Sequence, residues 1–105
     1  MTKDWRLEQL EARPYLRGAA FARKPYRAPS HEWDHDHCTA CWTTLAEPHI
    51  RRADVRHEGY ATTAEFVRGA DYNWICAPCF EEFRHIMEWR EATSLQAAVS
   101  DSISE

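Results

Sequence analysis

Long apolar runs are missing from this 105-residue chain, and no stretch approaches the roughly 20 consecutive apolar residues that cross a bilayer. The N-terminus also lacks a charged segment followed by an apolar run of secretory length. These absences exclude a membrane-spanning reading and make a cytoplasmic location the expectation. Glycine is scarce, with three residues and no cluster, so there is no Gly-rich loop to cradle a phosphate. No nucleophile with an adjacent base stands out, and there is no long-period repeat or low-complexity run. Excess positive charge is lacking as well: 13 Lys and Arg face 17 Asp and Glu, a net charge of -4, which disfavours a protein that coats nucleic acid.

What is present fits a small folded domain. Hydrophobic residues make up 44% of the chain and charged residues 29%, as in globular proteins. A chain of this length buries only about two-thirds of the surface its unfolded form exposes, so its own core is expected to be marginal. Five Trp residues supply large apolar area from few positions and are read first as core. Trp33, Trp42 and Trp74 flank the cysteines and Trp89 closes the last apolar pattern, which predicts packing over that region rather than an exposed aromatic patch.

The four cysteines fall in two Cys-x-x-Cys pairs, Cys38 with Cys41 and Cys76 with Cys79, and 34 residues separate the pairs. In a reducing compartment such spacing points to metal rather than to disulfides. Each pair can form a tight knuckle presenting two thiolates to one tetrahedral ion. One structural Zn2+ is the expected cofactor. An iron–sulfur centre and thiol redox chemistry are the alternatives, although a thioredoxin-type pair would need a βαβ context that the pattern does not offer.

Beside the first pair lies Asp34-His35-Asp36-His37. Alternating carboxylates and imidazoles could bind a second cation and activate water, as in metal-dependent nucleases. The plainer reading is that these side chains orient the knuckle or accept its amides. His37, next to Cys38, is the residue to take a cysteine's place if the ligand set differs. His31, His49, His57 and His85 are dispersed and receive no role.

Along the chain, Asp4 to Arg13 places Trp5, Leu7 and Leu10 among charges, which predicts a short helix stopped by Pro14. Tyr15 to Pro29 alternates aromatic and basic residues and reads as an extended arm with at most one edge strand. Arg17, Arg23, Lys24 and Arg27 make this segment the candidate partner-binding surface, while the same charges could instead lie against the protein's own acidic residues. Val55 to Ala61 is predicted as one strand. Thr62 and Glu65 have capping-box spacing, which predicts a helical turn closed by Gly69. Tyr72 to Ile75 would return as a strand. From Pro78, the spacing of Phe80, Phe83, Ile86 and Met87 predicts an amphipathic helix ending near Trp89, prolonged toward Leu95 and fraying after Val99.

The order of knuckle, hairpin and helix resembles a treble-clef zinc finger. The Asp34-His37 string is also similar to one in recombination endonucleases of the treble-clef nuclease class, although there it lies between the cysteine pairs and here it precedes both. More broadly, Trp33-Asp34-His35-Asp36-His37-Cys38-x-x-Cys41-Trp42, Glu58-Gly59-Tyr60 with the following Thr, and Trp74-Ile75-Cys76-x-x-Cys79-Phe80-x-x-Phe83 with Glu88-Trp89 resemble a family of small bacterial zinc-binding proteins. The resemblance spans Tyr15 to Arg90; it implies a zinc fold in a bacterial cytoplasm and names no activity. The resulting expectation is one α+β domain: helix and arm at 1–30, zinc core at 31–90, and helix end with acidic tail at 91–105. It is expected to be non-enzymatic and to bind another protein, with a hydrolase at Asp34–His37 or nucleic-acid binding through the basic arm as alternatives.

Overall fold

The computed structural model describes residues 4–30 and 32–92. It opens with α1 (Trp5–Glu11), capped by the Asp4 side chain, which accepts from the Arg6 amide at 2.9 Å. Leu10 on its inner face is fully buried. Arg6 ties the helix to the far end of the chain, donating to Glu82 and lying 4.9 Å over the Phe83 ring. Pro14 ends the pattern as expected and starts a single tight turn to the buried Leu16.

β1 (Ala20–Pro25) follows, and the sequence reading needs correction here. The segment read as an extended arm lies inside a four-stranded sheet, between β5 (Glu58–Thr62), to which it runs antiparallel, and β7 (Arg90–Glu91), to which it runs parallel, with β6 (Trp74–Ile75) beyond β5 to give the order β6-β5-β1-β7. Phe21 faces Thr62 and Glu91, and Arg23 faces Tyr60. An edge position was expected because the partner on the other side comes from residues whose spacing suggested continued helix.

A second sheet has the order β2-β3-β4, formed by β2 (His35–His37), β3 (Thr44–Ala46) and β4 (Val55–Arg56). The single strand expected over Val55–Ala61 is therefore two strands in different sheets. His57 marks the break, its Nδ1 donating to the Ala46 carbonyl at 3.0 Å. Gly59, just beyond, sits where the sheets meet. A Cβ there would lie 2.9 Å from both the Ile75 carbonyl oxygen and Leu45 Cδ2, so the close approach requires glycine.

The segment after β5 forms two successive reverse turns, Thr63 to Phe66 and Phe66 to Gly69, and Gly69 adopts φ 97°. No capping box forms with Glu65. The buried Thr62 hydroxyl instead donates to the Gly69 carbonyl at 3.1 Å and accepts from the amides of Tyr72 and Asn73 at 3.0 and 3.3 Å. β6 (Trp74–Ile75) then pairs antiparallel with β5.

α2 (Ala77–Phe83) is shorter than its spacing predicts. Phe80, Phe83 and Met87 are buried as the helical pattern requires, but Ile86 is half exposed and Glu88 turns the chain at φ 59°. Trp89 Nε1 donates to the Leu16 carbonyl at 2.9 Å in the interior, and the chain leaves the helix to add β7 beside β1. Helical spacing persists because turns also repeat every three to four residues. The expected prolongation to Leu95 and fraying after Val99 lie outside the described residues.

Aromatic rings organise the core. Tyr60 stacks on Phe80 with centroids 3.8 Å apart, Phe80 on Trp89 at 5.7 Å, and Phe21 meets both edge-on. Trp74 packs on Tyr26 at 5.0 Å. The reading of all five Trp as core fails for three of them: Trp5, Trp33 and Trp42 are 51%, 51% and 52% exposed.

Candidate metal centre

Each cysteine pair is shaped by its own backbone. Residues 38–43 join β2 to β3, and this loop closes when the Trp42 amide donates to the Cys38 carbonyl at 2.9 Å and the Cys38 amide to the Thr43 carbonyl at 2.8 Å. Trp42 takes φ 67°, a left-handed conformation that strains a residue with a bulky side chain by about 1–2 kcal/mol. The second pair uses the start of α2. Cys76 caps it, Pro78 sits in its first turn where no amide donor is needed, and Cys79 completes that turn.

The two halves are joined directly. Cys38 bridges to Trp74 in parallel, the Thr39 amide donates to the Trp74 carbonyl at 2.9 Å, and Asn73 Nδ2 donates to Thr39 Oγ1 at 3.2 Å. As a result the four sulfurs of Cys38, Cys41, Cys76 and Cys79 lie within 4.8 Å of one another. Cys41 and Cys76 approach to 3.6 Å. Sulfurs bound tetrahedrally at about 2.3 Å stand about 3.8 Å apart, so the cluster has the dimensions of one four-coordinate ion.

Electrostatics points the same way. The closeness of the Cys76 and Cys79 thiols holds the Cys38 sulfur low, while the Cys38 sulfur beside them raises both Cys76 and Cys79. A negative charge is thus favoured at Cys38 and disfavoured at Cys76 and Cys79. Bringing all four to the thiolate state in a site where Cys38, Cys76 and Cys79 are buried requires a cation among them. Thr43, whose Oγ1 lies 3.0 Å from Cys41 Sγ, can donate a hydroxyl proton to that sulfur when it ligates an ion. Sequence reasoning missed Thr43, Thr39 and Asn73, and only their closeness to the cysteines could have suggested them.

The Asp34–His37 string divides by strand alternation. Asp36 Oδ2 accepts from the Tyr26 hydroxyl at 2.7 Å and from Trp33 Nε1 at 3.1 Å. Burial and then the Asp36 carboxylate raise the Tyr26 phenol, which stays protonated as the donor. On the other side, His35 and His37 stand with ring centroids 4.9 Å apart. His35 Nδ1 donates to Asp34 Oδ1 at 2.5 Å, and this bond holds the Asp34 carboxyl below its ordinary range. His37 Nδ1 donates to the Trp42 carbonyl at 3.0 Å and so ties β2 to the strained end of the knuckle. None of the four contributes to the sulfur cluster.

The basic residues of β1 and its approach are paired within the chain. Arg17 reaches Glu88 at 3.2 Å, Arg23 reaches Glu58 at 2.6 Å, and Lys24 reaches Asp71 at 3.0 Å. Arg27 is exposed. Among the described residues, no helix is long and apolar enough to cross a membrane. Comparison with family models, with curated proteins and with solved structures finds no match.

Proposed function

We propose that this protein is a treble-clef-like binding module, stapled by one structural zinc ion and free of catalytic activity, that takes up a basic segment of another protein. Four soft thiolate donors at tetrahedral separations suit Zn2+, and filling all four positions leaves none for substrate. The ion then contributes folding energy rather than chemistry.

The observation that carries the binding reading is a cleft of about 670 Å3 lined by Pro29, Trp33, Asp34, Glu47 and His49. It combines a half-exposed indole with two carboxylates, and the Asp34 side chain is 70% exposed. A guanidinium or ammonium entering it meets an aromatic face and an opposite charge together. Both surfaces carry internal pairs, Asp34 with His35 and Glu47 with the Ala28 amide on one and Arg17, Arg23 and Lys24 with acidic partners on the other, and the cleft is favoured because it adds an exposed indole beside its carboxylates. A nucleic-acid reading would need those pairs stripped in a chain of net charge -4. A hydrolytic reading of Asp34–His37 loses support because Asp36 is engaged by two donors from the fold.

Fluorescence titration of the zinc-loaded protein with an Arg/Lys-rich peptide, an acidic peptide and an oligonucleotide tests the proposal. The basic peptide is expected to bind alone, and Trp33→Ala or Glu47→Gln to weaken it about tenfold, the loss of roughly 1.4 kcal/mol. Preferential binding of the oligonucleotide, or Mg2+-dependent cleavage of it, would refute the reading.

A further inference from the structure

We infer that His35 and His37 form a second, exchangeable metal site, separate from the four cysteines, that takes an imidazole-preferring divalent ion such as Ni2+, Cu2+ or Zn2+ through their Nε2 atoms. The inference starts from strand geometry. Residues two apart on β2 project to the same face, and His35 and His37 do so while Asp36 turns to the opposite side to meet Tyr26 and Trp33. The two rings stand edge to face at 84°, with centroids 4.9 Å apart.

That separation can be compared with what one shared ion demands. A metal bonded to an imidazole nitrogen at about 2.0–2.1 Å lies roughly 3.2 Å from the ring centroid, so two rings at adjacent positions have centroids about 4.5–5.2 Å apart. The observed value falls inside this interval.

A second, independent feature is the state of the other ring nitrogens. Metal-binding histidines characteristically donate their remaining ring N–H to a carboxylate or backbone carbonyl, which fixes the tautomer and strengthens the ligating nitrogen. Both partners exist here. His35 Nδ1 donates to Asp34 Oδ1 at 2.5 Å and His37 Nδ1 to the Trp42 carbonyl at 3.0 Å. With Nδ1 donating in each ring, Nε2 is the nitrogen left to bind a metal. His35 is also exposed, so an ion reaches the pair from solvent without unfolding anything.

Two protein ligands leave the remaining positions to water, which makes the site weaker than the sulfur cluster. Imidazole and water together suit Ni2+, Cu2+ and Zn2+ over the hard cations Mg2+ and Ca2+.

The experiment is calorimetric titration of untagged, zinc-loaded protein with Ni2+, with native mass spectrometry to confirm that the zinc is retained. One further equivalent of Ni2+ is expected, with paramagnetic broadening of the His35 and His37 ring signals. His35→Ala, which leaves every hydrogen bond of the knuckle intact, is expected to abolish it. Asp34→Asn is expected to weaken it about tenfold. His37→Ala also removes the bond to Trp42, so His35→Ala decides the matter if that variant fails to fold. Absence of a second equivalent up to about 1 mM Ni2+, or equal uptake by His35→Ala, would overturn the inference. Release of zinc in step with Ni2+ uptake would overturn it too, since the added metal would then be entering the thiolates.

Discussion

Replacing Gly59 by alanine adds one methyl group at the place where the two sheets touch. Its backbone φ is not in the left-handed region, so conformational strain plays no part and the effect is purely steric. The new Cβ would lie 2.9 Å from Leu45 Cδ2, which can rotate, and 2.9 Å from the Ile75 carbonyl oxygen, which cannot. Ile75 pairs with Tyr60 in β5 and directly precedes Cys76, so relieving the clash displaces the strand that delivers the second cysteine pair. Overpacking of this kind costs about 1–3 kcal/mol. At about 4–8 °C per kcal/mol for a domain near this size, the melting temperature should fall by roughly 5–20 °C. Thermal unfolding by circular dichroism reads this directly, and zinc release to a chromophoric chelator should accelerate in parallel. A variant within about 0.5 kcal/mol of the parent, the range of an ordinary surface change, would refute the steric argument. A variant that is destabilised yet releases zinc at the parental rate would refute the link from Gly59 through Ile75 to Cys76.

The remaining predictions concern the ion and one buried hydroxyl. Cys79→Ser, or a strong chelator, should unfold the domain as followed by loss of near-UV circular dichroism, because the roughly 10–16 kcal/mol of structural zinc binding rivals the whole stability of about 5–15 kcal/mol. A folded, metal-free protein at neutral pH would contradict this. Protons compete with the ion for the thiolates, so its stabilisation is present at neutral pH and lost as pH falls; zinc release on acidification should coincide with unfolding in a joint dye and circular dichroism titration. Thr62→Val keeps the shape of the side chain but strands the amides of Tyr72 and Asn73 and the Gly69 carbonyl, and should cost about 1–3 kcal/mol in chemical denaturation.

The cysteine cluster was legible because Cys-x-x-Cys spacing encodes a local backbone loop, and two such loops in a chain with a marginal core have few uses besides one ion. The start of α2 was legible for a similar local reason, since Pro78 and the buried spacing of Phe80 and Phe83 act within one or two turns. The placement of β1 was not. Alternation at Phe21, Arg23 and Pro25 signals extended backbone, but whether a strand lies at an edge depends on a partner about 70 residues away, and Arg90–Glu91 carry no strand signal of their own. The division at His57 was hidden for a different reason: it is produced by a side-chain bond to Ala46 and by the close approach at Gly59, both tertiary. Trp residues were misjudged because indole burial is decided by neighbours, and Trp42 is turned outward by a backbone angle that composition does not announce.

The position of β1 between β5 and β7 also bears on synthesis. As the chain emerges, residues 20–25 appear early, but their antiparallel neighbour arrives more than thirty residues later and their parallel neighbour last of all. The β2–β3 hairpin can close on its own with two thiolates, whereas the other two enter only with α2. Long-range pairing of this kind delays folding until the distant segments are available. Until residues 76–79 are available the cluster has only two of its four sulfurs, and until residues 90–91 are available β1 keeps one edge open.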